Sequence, residues 1–436
     1  MGPWALFGSV RKLGRRTFNF RSISLCVNSN KKMAASETPE NIFEFAEAYT
    51  IAKSSSECSK TWEGIIRMFD VNISRGKMIV PETFQPKVQR WFSHSDDDSP
   101  KDAITRAENQ VIVRIVNKWT FEQTLFNPIR SRRPLNINNK ENRSKEDEKD
   151  ALSAVSSSCD FCMREEYTAI DSWGRIERKT AITASNCAKY DAFHSMIIFK
   201  DHHPLKYSKE LLTDIFSICE EWFLRAHETN EKAIYPMFSW NCQGRAGASQ
   251  IHGHAHVLLG ENFPYGRYQY LQHVAKNYNL ANPNRNYFMD LISTSRTLGL
   301  AKSVGESTIL INLTPGFPYD LIVLSWNFNQ DFQDAMNEAI KLLTQQFGSV
   351  SFNVTISFPP LEDGKVRKTI DANCLKEALC KEFAPMPYIG CLIDRGDPSS
   401  MASDMCGQRI LLGNNLVPTD PFYAGKVLTE VIQNGQ

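Results

Sequence analysis

The sequence predicts an α+β protein: two tandem layers of antiparallel sheet with packed helices, preceded by an N-terminal extension. Three observations predict it. Short apolar, strand-like runs surround one long amphipathic stretch between residues 151 and 265. The same succession of element types returns between 266 and 436, without a residue-level repeat, as an ancient duplication would leave it. Finally, 42% of the 436 residues are hydrophobic and 23% charged, enough apolar surface for a core and two to three domains' worth of chain. That composition excludes a mainly disordered or fibrous protein.

In chain order, residues 1–36 carry Arg11, Lys12, Arg15, Arg16, Arg21, Lys31 and Lys32 and no acid. This composition fits a mitochondrial transit peptide or an untargeted basic tail. Met33 opens MAASETPENIF, which reads as a second start, so the expected location is mitochondrial or cytoplasmic. Residues 37–150 begin with helical spacing from Asn41 to Trp62, through Ile42, Phe43, Phe45, Ala46, Tyr49 and Ile51. A polar break follows at 93–102, then the β-branched run QVIVRIV. The charged segment NNKENRSKEDEKD, at 138–150, holds no apolar residue and reads as a linker.

Residues 151–265 contain the strand HSMIIFK at 194–200. Leu211, Leu212, Ile215, Phe216, Cys219, Trp222, Phe223 and Ala226 then recur at three and four, the face of a helix packed on a sheet. YPMFSWN, a Gly-rich turn and HAHVLLG complete an α+β layer. From 266 to 436, STILINL and DLIVLSW read as strands, Phe332–Phe347 as a helix and SFNVTISF as a strand.

Charge and apolar runs exclude whole function classes. Fifty Lys and Arg against 49 Asp and Glu, a net +1, exclude a chain built overall to bind nucleic acid. No apolar run approaches the roughly 20 residues that span a bilayer. Eleven cysteines, an odd number with no signal-peptide core before them, point to a reducing compartment.

The chemistry concentrates in NCQGRAGASQIHGHAHVLLG, residues 241–260. His252, His254 and His256 stand two apart, so in a strand their imidazoles share one side. Nine histidines occur in the chain, and three basic rings side by side cost desolvation or repulsion unless something uses them. Histidine can serve as phosphorus nucleophile, proton donor or metal ligand. Gly247 and Ser249, just before the strand, can offer backbone N–H groups and a hydroxyl to a phosphate. Gly253 and Ala255 face the other way, where small size favours close packing. Cys159 and Cys162 are the one pair with metal-like spacing, and IDRGDPSSMASD sets Asp394, Arg395, Asp397 and Asp404 in a polar turn. That turn reads either as a surface loop with local ion pairs or as the border of a nucleotide or acceptor pocket.

The histidine segment resembles the motif of the histidine-triad (HIT-like) superfamily. Asn241, Gly247, Ser249 and His252 keep the spacing of its galactose-1-phosphate uridylyltransferase branch. SSCDFC resembles that branch's zinc cysteines, and IIFKDHHPLKYSKELL its strand-to-helix segment with a third ligand, which His202 or His203 would fill. FNPIRSRRP resembles the arm whose arginines meet phosphates, here Arg130, Arg132 and Arg133. The resemblance covers about residues 120–260.

It implies a structural zinc on Cys159, Cys162, His202 or His203, and His252. It implies His254 as nucleophile, forming a nucleotidyl-histidine on a nucleotide or nucleotide-sugar substrate, aided by His256 and Ser249. Asn241, Gly247 and the arginines would bind substrate, and the chain would be a possible homodimer. The branch usually has glutamine where this chain has His256, as the hydrolases do. The acceptor is therefore open among sugar phosphate, phosphate and water. The rivals are a HIT-type nucleotide hydrolase, a non-catalytic nucleotide-binding protein and a metallohydrolase. The last is disfavoured because no Asp or Glu occurs between Glu231 and Glu261.

Overall fold

The computed structural model describes residues 38–55, 60–93, 99–127, 129–130, 159–370, 385–400 and 405–434. The basic segment 1–36 and the charged linker 138–150 lie outside them. The chain divides into two units. In the smaller, the helices Gln85–Phe92 and Pro100–Glu108 close over Val80, Val88 and Ala107. Ser99 caps the second, its Oγ accepting from the Asp102 N–H.

The larger unit holds two sheets. One has four strands: β1 (Phe69–Lys77), β2 (Asn109–Asn117), β3 (Gln123–Phe126) and β13 (Asn414–Val417), in the order β1-β2-β3-β13. The other has nine: β4 (Ala181–Ser185), β5 (Phe193–Phe199), β6 (Ala233–Cys242), β7 (His254–Glu261), β8 (Ala301–Val304), β9 (Ser307–Ile311), β10 (Asp320–Ser325), β11 (Phe352–Ser357) and β12 (Tyr388–Asp394). Their order is β4-β5-β7-β6-β11-β12-β10-β9-β8, and every pairing is antiparallel.

The two layers share one connectivity. β4, β5, the helix Lys209–Thr229, β6 and β7 lie in the order 4-5-7-6. β9, β10, the helix Gln330–Lys341, β11 and β12 repeat it as 9-10-12-11. The two layers join through β6 and β11, with Trp240 opposite Val354 and Asn241 opposite Asn353, into one continuous sheet. Sequence spacing predicts one helix from Asn41 to Trp62. The structure has two, Ile42–Ser54 and Lys60–Met68: the first ends where Ser55 takes an extended backbone and donates its N–H to Ala52 O.

Strand alternation gives the sheet two faces of different character. Phe238, Trp240 and Cys242 of β6 and Phe352, Val354 and Ile356 of β11 are buried on one face. Trp240 packs there edge-on against Phe199 and Phe352. The alternate residues Met237, Ser239 and Asn241, and Asn353, Thr355 and Ser357, are only half-buried on the other face. Ser208 starts the long helix that covers β4–β7, its Oγ accepting from the Leu211 N–H at 3.1 Å. That helix buries Leu211, Leu212, Ile215, Phe216, Cys219, Trp222, Phe223 and Ala226, the stripe read from the sequence.

A buried carboxylate ties this helix to β5. Asp171 accepts a bond from Ser195 Oγ, which lies 2.7 Å from each carboxylate oxygen, and a 2.9 Å bond from Trp222 Nε1. In Asp171→Ala both buried donors lose their acceptor, and each lost partner costs about 1–3 kcal/mol. Urea unfolding of that variant is expected to show a loss of at least about 2 kcal/mol; an unchanged midpoint would refute the assignment.

Candidate active site

The segment entering β7 is held tightly. Gly253 donates its N–H to His202 O at 3.1 Å, and Phe199 donates to Gly253 O at 2.9 Å. A Cβ on Gly253 would lie 2.5 Å from the Phe199 ring and 3.3 Å from the Pro204 backbone, so only glycine lets the two segments approach this closely. Ala255, on the same side, is fully buried. Small size behind the histidines is thus a packing requirement, as their alternation implies.

The three motif histidines, all buried, have three different environments. His252 lies just before β7 rather than in it and turns toward a cluster with Cys159, Cys162 and His202. One donor atom from each residue lies within 4.8 Å of all the others. Cys162 Sγ is 3.2 Å from His202 Nδ1 and 3.5 Å from His252 Nδ1. Cys159 Sγ is 3.5 Å from His252 Nδ1, and the two Nδ1 atoms are 3.2 Å apart. This set of two thiols and two imidazoles can hold a metal ion.

His252 Nε2 donates to Phe199 O at 2.7 Å, which fixes the tautomer and leaves Nδ1 bare for a metal. Burial lowers the His252 pKa to about 4 and raises that of the Cys162 thiol to about 11, where the nearby Cys159 adds to it. Sequence alone left His202 and His203 as alternatives. The structure brings His202 into the cluster, whereas His203 Nδ1 accepts from the Leu205 N–H at 3.1 Å within its own turn.

His254 opens β7 and is 3% exposed, with Phe161 edge-on at 5.2 Å. Its Nδ1 donates to His252 O at 2.8 Å. A neutral imidazole carries one proton, so the bond leaves a lone pair on Nε2. Burial lowers its pKa, partly opposed by the bond to His252 O. The ring is therefore uncharged at neutral pH.

His256 is paired with a residue that sequence reasoning passed over, His194 at the start of β5. The Tyr190 N–H donates to His194 Nδ1 at 3.1 Å. A backbone N–H can only donate, so the His194 proton sits on Nε2, 3.0 Å from His256 Nδ1. The Asn186 amide nitrogen, 3.3 Å from the same Nε2, is itself a donor and cannot take that proton. His256 Nδ1 therefore accepts, and its own N–H is on Nε2. The signal was present: His194, Met196 and Ile198 alternate in HSMIIFK and lie opposite Leu258, His256 and His254.

Burial, reinforced by His254 and His194, pushes the His256 pKa to about 3. Burial, with Lys189 nearby, pushes that of His194 to about 4, while Asp191 and Asp171 oppose the shift. Both fall below the ordinary value near 6.5, so the folded state binds fewer protons than the unfolded chain between those values and 6.5. Their contribution to stability is complete above pH 6.5 and is lost as pH falls toward 4. The urea midpoint of unfolding should therefore be level from pH 8 to about 6.5 and fall below it; a midpoint that stayed level down to pH 4 would contradict a buried, neutral His194–His256 pair.

The remaining sequence candidates divide. Asn241, on β6, shares the face of Ser239, which lies opposite His256. Gly247 has φ +97°, a left-handed turn for which glycine is suited. Its N–H donates to Gly244 O at 2.9 Å, so Gly247 supplies the shape of the loop rather than the phosphate-facing N–H expected of it. Ser249 is exposed in that loop. Arg130 is exposed on a turn after β3, an element of the four-stranded sheet rather than of the histidine-bearing one. Arg132 and Arg133 lie outside the described residues. No described helix is long and apolar enough to cross a membrane.

No family model matches the chain, and no curated protein is significantly similar to it. Among solved structures it is similar to an ADP-glucose phosphorylase from Arabidopsis thaliana with bound ADP-glucose. That overlap has 14% identity, covers 72% of this chain and 96% of that one, and has a TM-score of 0.49. A galt-like protein from the same plant overlaps at 16% identity, 63% and 92% coverage, and TM-score 0.46. A yeast Ap4A phosphorylase, Apa2, solved in complex with Ap4A, overlaps at 12% identity, 73% and 88% coverage, and TM-score 0.32. Overlaps of this quality are partial, and the chemistry of the site rests on its own atoms.

Proposed function

We propose that this protein is a nucleotidyltransferase of the galactose-1-phosphate uridylyltransferase and phosphorylase type. Its substrate would be a nucleoside-diphosphate sugar or a related nucleotide. One observation carries the reading: the His254 Nδ1–H bond to His252 O, which leaves an uncharged imidazole with a bare Nε2. That nitrogen attacks the α-phosphorus, the bond from phosphorus to the bridging oxygen breaks, and the group beyond leaves with the electron pair. An acceptor then attacks the same phosphorus and displaces His254, so two in-line steps give net retention. Asn241, Ser249 and the arm carrying Arg130, Arg132 and Arg133 would bind the nucleotide and neutralise its phosphoryl oxygens.

His256 supports transfer over hydrolysis. Its fixed tautomer presents a neutral N–H on Nε2, the hydrogen-bonding role a glutamine amide would fill, and its depressed pKa makes it a poor base for water. Hydrolysis remains the second reading, because a histidine rather than an amide stands there.

Cys159, Cys162, His202 and His252 would hold zinc. A tetrahedral zinc with bonds of about 2.3 Å to sulfur and 2.0–2.1 Å to nitrogen has N–S edges of roughly 3.5 Å and N–N edges of roughly 3.3 Å. Four of the six distances between these donors, 3.2–3.5 Å, match those edges, and all six lie within 4.8 Å. Four protein ligands close such a site, so the ion supplies structure rather than Lewis acidity.

The test is chemical. Protein incubated with radiolabelled nucleoside-diphosphate sugars or dinucleoside polyphosphates should carry an acid-labile, base-stable label. Chasing that adduct with phosphate, a sugar phosphate or buffer alone identifies the acceptor. Unlabelled protein that nevertheless binds nucleotide would instead be a binding protein.

A further inference from the structure

The second layer of the fold contributes no histidine to the site, yet it reaches the first layer through one asparagine. Asn353, on β11, lies opposite Asn241. Its Nδ2 donates to Asn241 Oδ1 at 2.7 Å and to Ala246 O, in the glycine-rich loop, at 2.8 Å. Its Oδ1 accepts from Arg395 Nη1 at 2.8 Å. The two ends of this chain cannot invert: a backbone carbonyl only accepts, and a guanidinium only donates. Asn353 therefore has a single orientation. Asn241 must turn its oxygen toward Asn353, where Ser239 Oγ also donates to it at 3.5 Å.

We propose that Asn353 and Arg395 are positioning residues that set the amide orientation of Asn241, so that its NH2 rather than its carbonyl faces the phosphoryl group on His254. The proposal rests on the nucleotidyltransferase reading and extends it to residues of the second layer. Orientation matters because a phosphoryl oxygen can only accept: an amide turned the right way donates to it, and a flipped amide presents a repelling oxygen. Arg395 is held in turn by its own backbone, its N–H donating to Ser351 O at 2.8 Å. Arg245 of the glycine-rich loop donates from Nε to Arg395 O and from Nη1 to Ser400 O. The loop before the histidines and the turn after β12 are thus one hydrogen-bonded unit. This gives the polar turn at 393–400 a use other than local ion pairs.

The test combines two variants and two readouts. Asn353→Asp keeps the acceptor for Arg395 but gives Asn241 a partner that only accepts, so Asn241 must flip. Asn353→Leu, of similar size, imposes no orientation. Side-chain amide exchange on protein selectively labelled with 15N-asparagine reads the orientation without substrate, the Asn241 signal being identified by its loss in Asn241→Ala. The Asn241 NH2 protons should exchange freely in the wild type and become protected in Asn353→Asp. Protection in the unliganded wild type, or free exchange in Asn353→Asp, would overturn the proposal.

With nucleotide sugar, Asn353→Asp should slow formation of the protein-bound label at least tenfold more than Asn353→Leu does, at equal melting temperature. Equal losses would assign Asn353 to packing alone and also overturn it. Should the wild type form no adduct, the nucleotidyltransferase reading fails, and the exchange experiment still decides the orientation.

Discussion

His254→Asn is expected to form no nucleotidyl adduct and to turn over at least about a thousandfold more slowly than the wild type. The substitution is chosen to separate chemistry from folding. An asparagine amide can still donate to His252 O, where His254 Nδ1 now donates at 2.8 Å, but it has no nitrogen lone pair at the Nε2 position. The melting temperature should change little while the acid-labile label disappears. Label that persisted in a folded His254→Asn protein would place the nucleophile elsewhere. His256→Gln is the companion variant: it keeps a neutral N–H donor, so it should retain the adduct and a substantial part of the transfer activity.

Loss of the metal site is the second large effect. A Cys159→Ser, Cys162→Ser protein should contain no stoichiometric zinc by elemental analysis. An ion present at a thousand times its Kd stabilises the state that binds it by about 4 kcal/mol, and that contribution should vanish. Activity should fall with it, although neither cysteine reaches the phosphoryl group. The connection is the backbone between the sites: His252 would supply a ligand nitrogen to the metal, and its carbonyl accepts the hydrogen bond from His254 Nδ1. Strong chelation of the wild-type protein should reproduce both losses, and restored zinc should reverse them. A double variant that kept full activity and stability would refute a structural metal. Metal found instead on His254 and His256 would favour the metallohydrolase reading.

The two cysteines also show how far local spacing can be read. Their two-residue gap was visible in the chain, because the turn that brings them together is itself local, with the Cys162 N–H donating to Cys159 O at 3.0 Å. The choice between His202 and His203 was not visible. Both are polar neighbours in one turn, and only the path of the chain back past β7 points one of them at the thiols.

The α+β layers, the amphipathic helix and the strands around the histidines were written in the order of residues, because hydrophobic periodicity and β-branched runs act over a few residues. So was the division of the motif segment into a functional side and a packing side, since alternation along one strand needs no partner strand. Other features needed the tertiary structure. They include the fusion of the two layers through β6 and β11, the fixed tautomers of His194 and His256, and the orientation of Asn241 by Asn353 and Arg395. They depend on hydrogen bonds between residues 42–112 positions apart or on which strand edges meet, although the proton of His194 itself is placed by Tyr190, four residues away. The proton's place on His256, and the sense of the Asn241 amide, are set by a partner on another strand, and nothing in the local sequence specifies that partner.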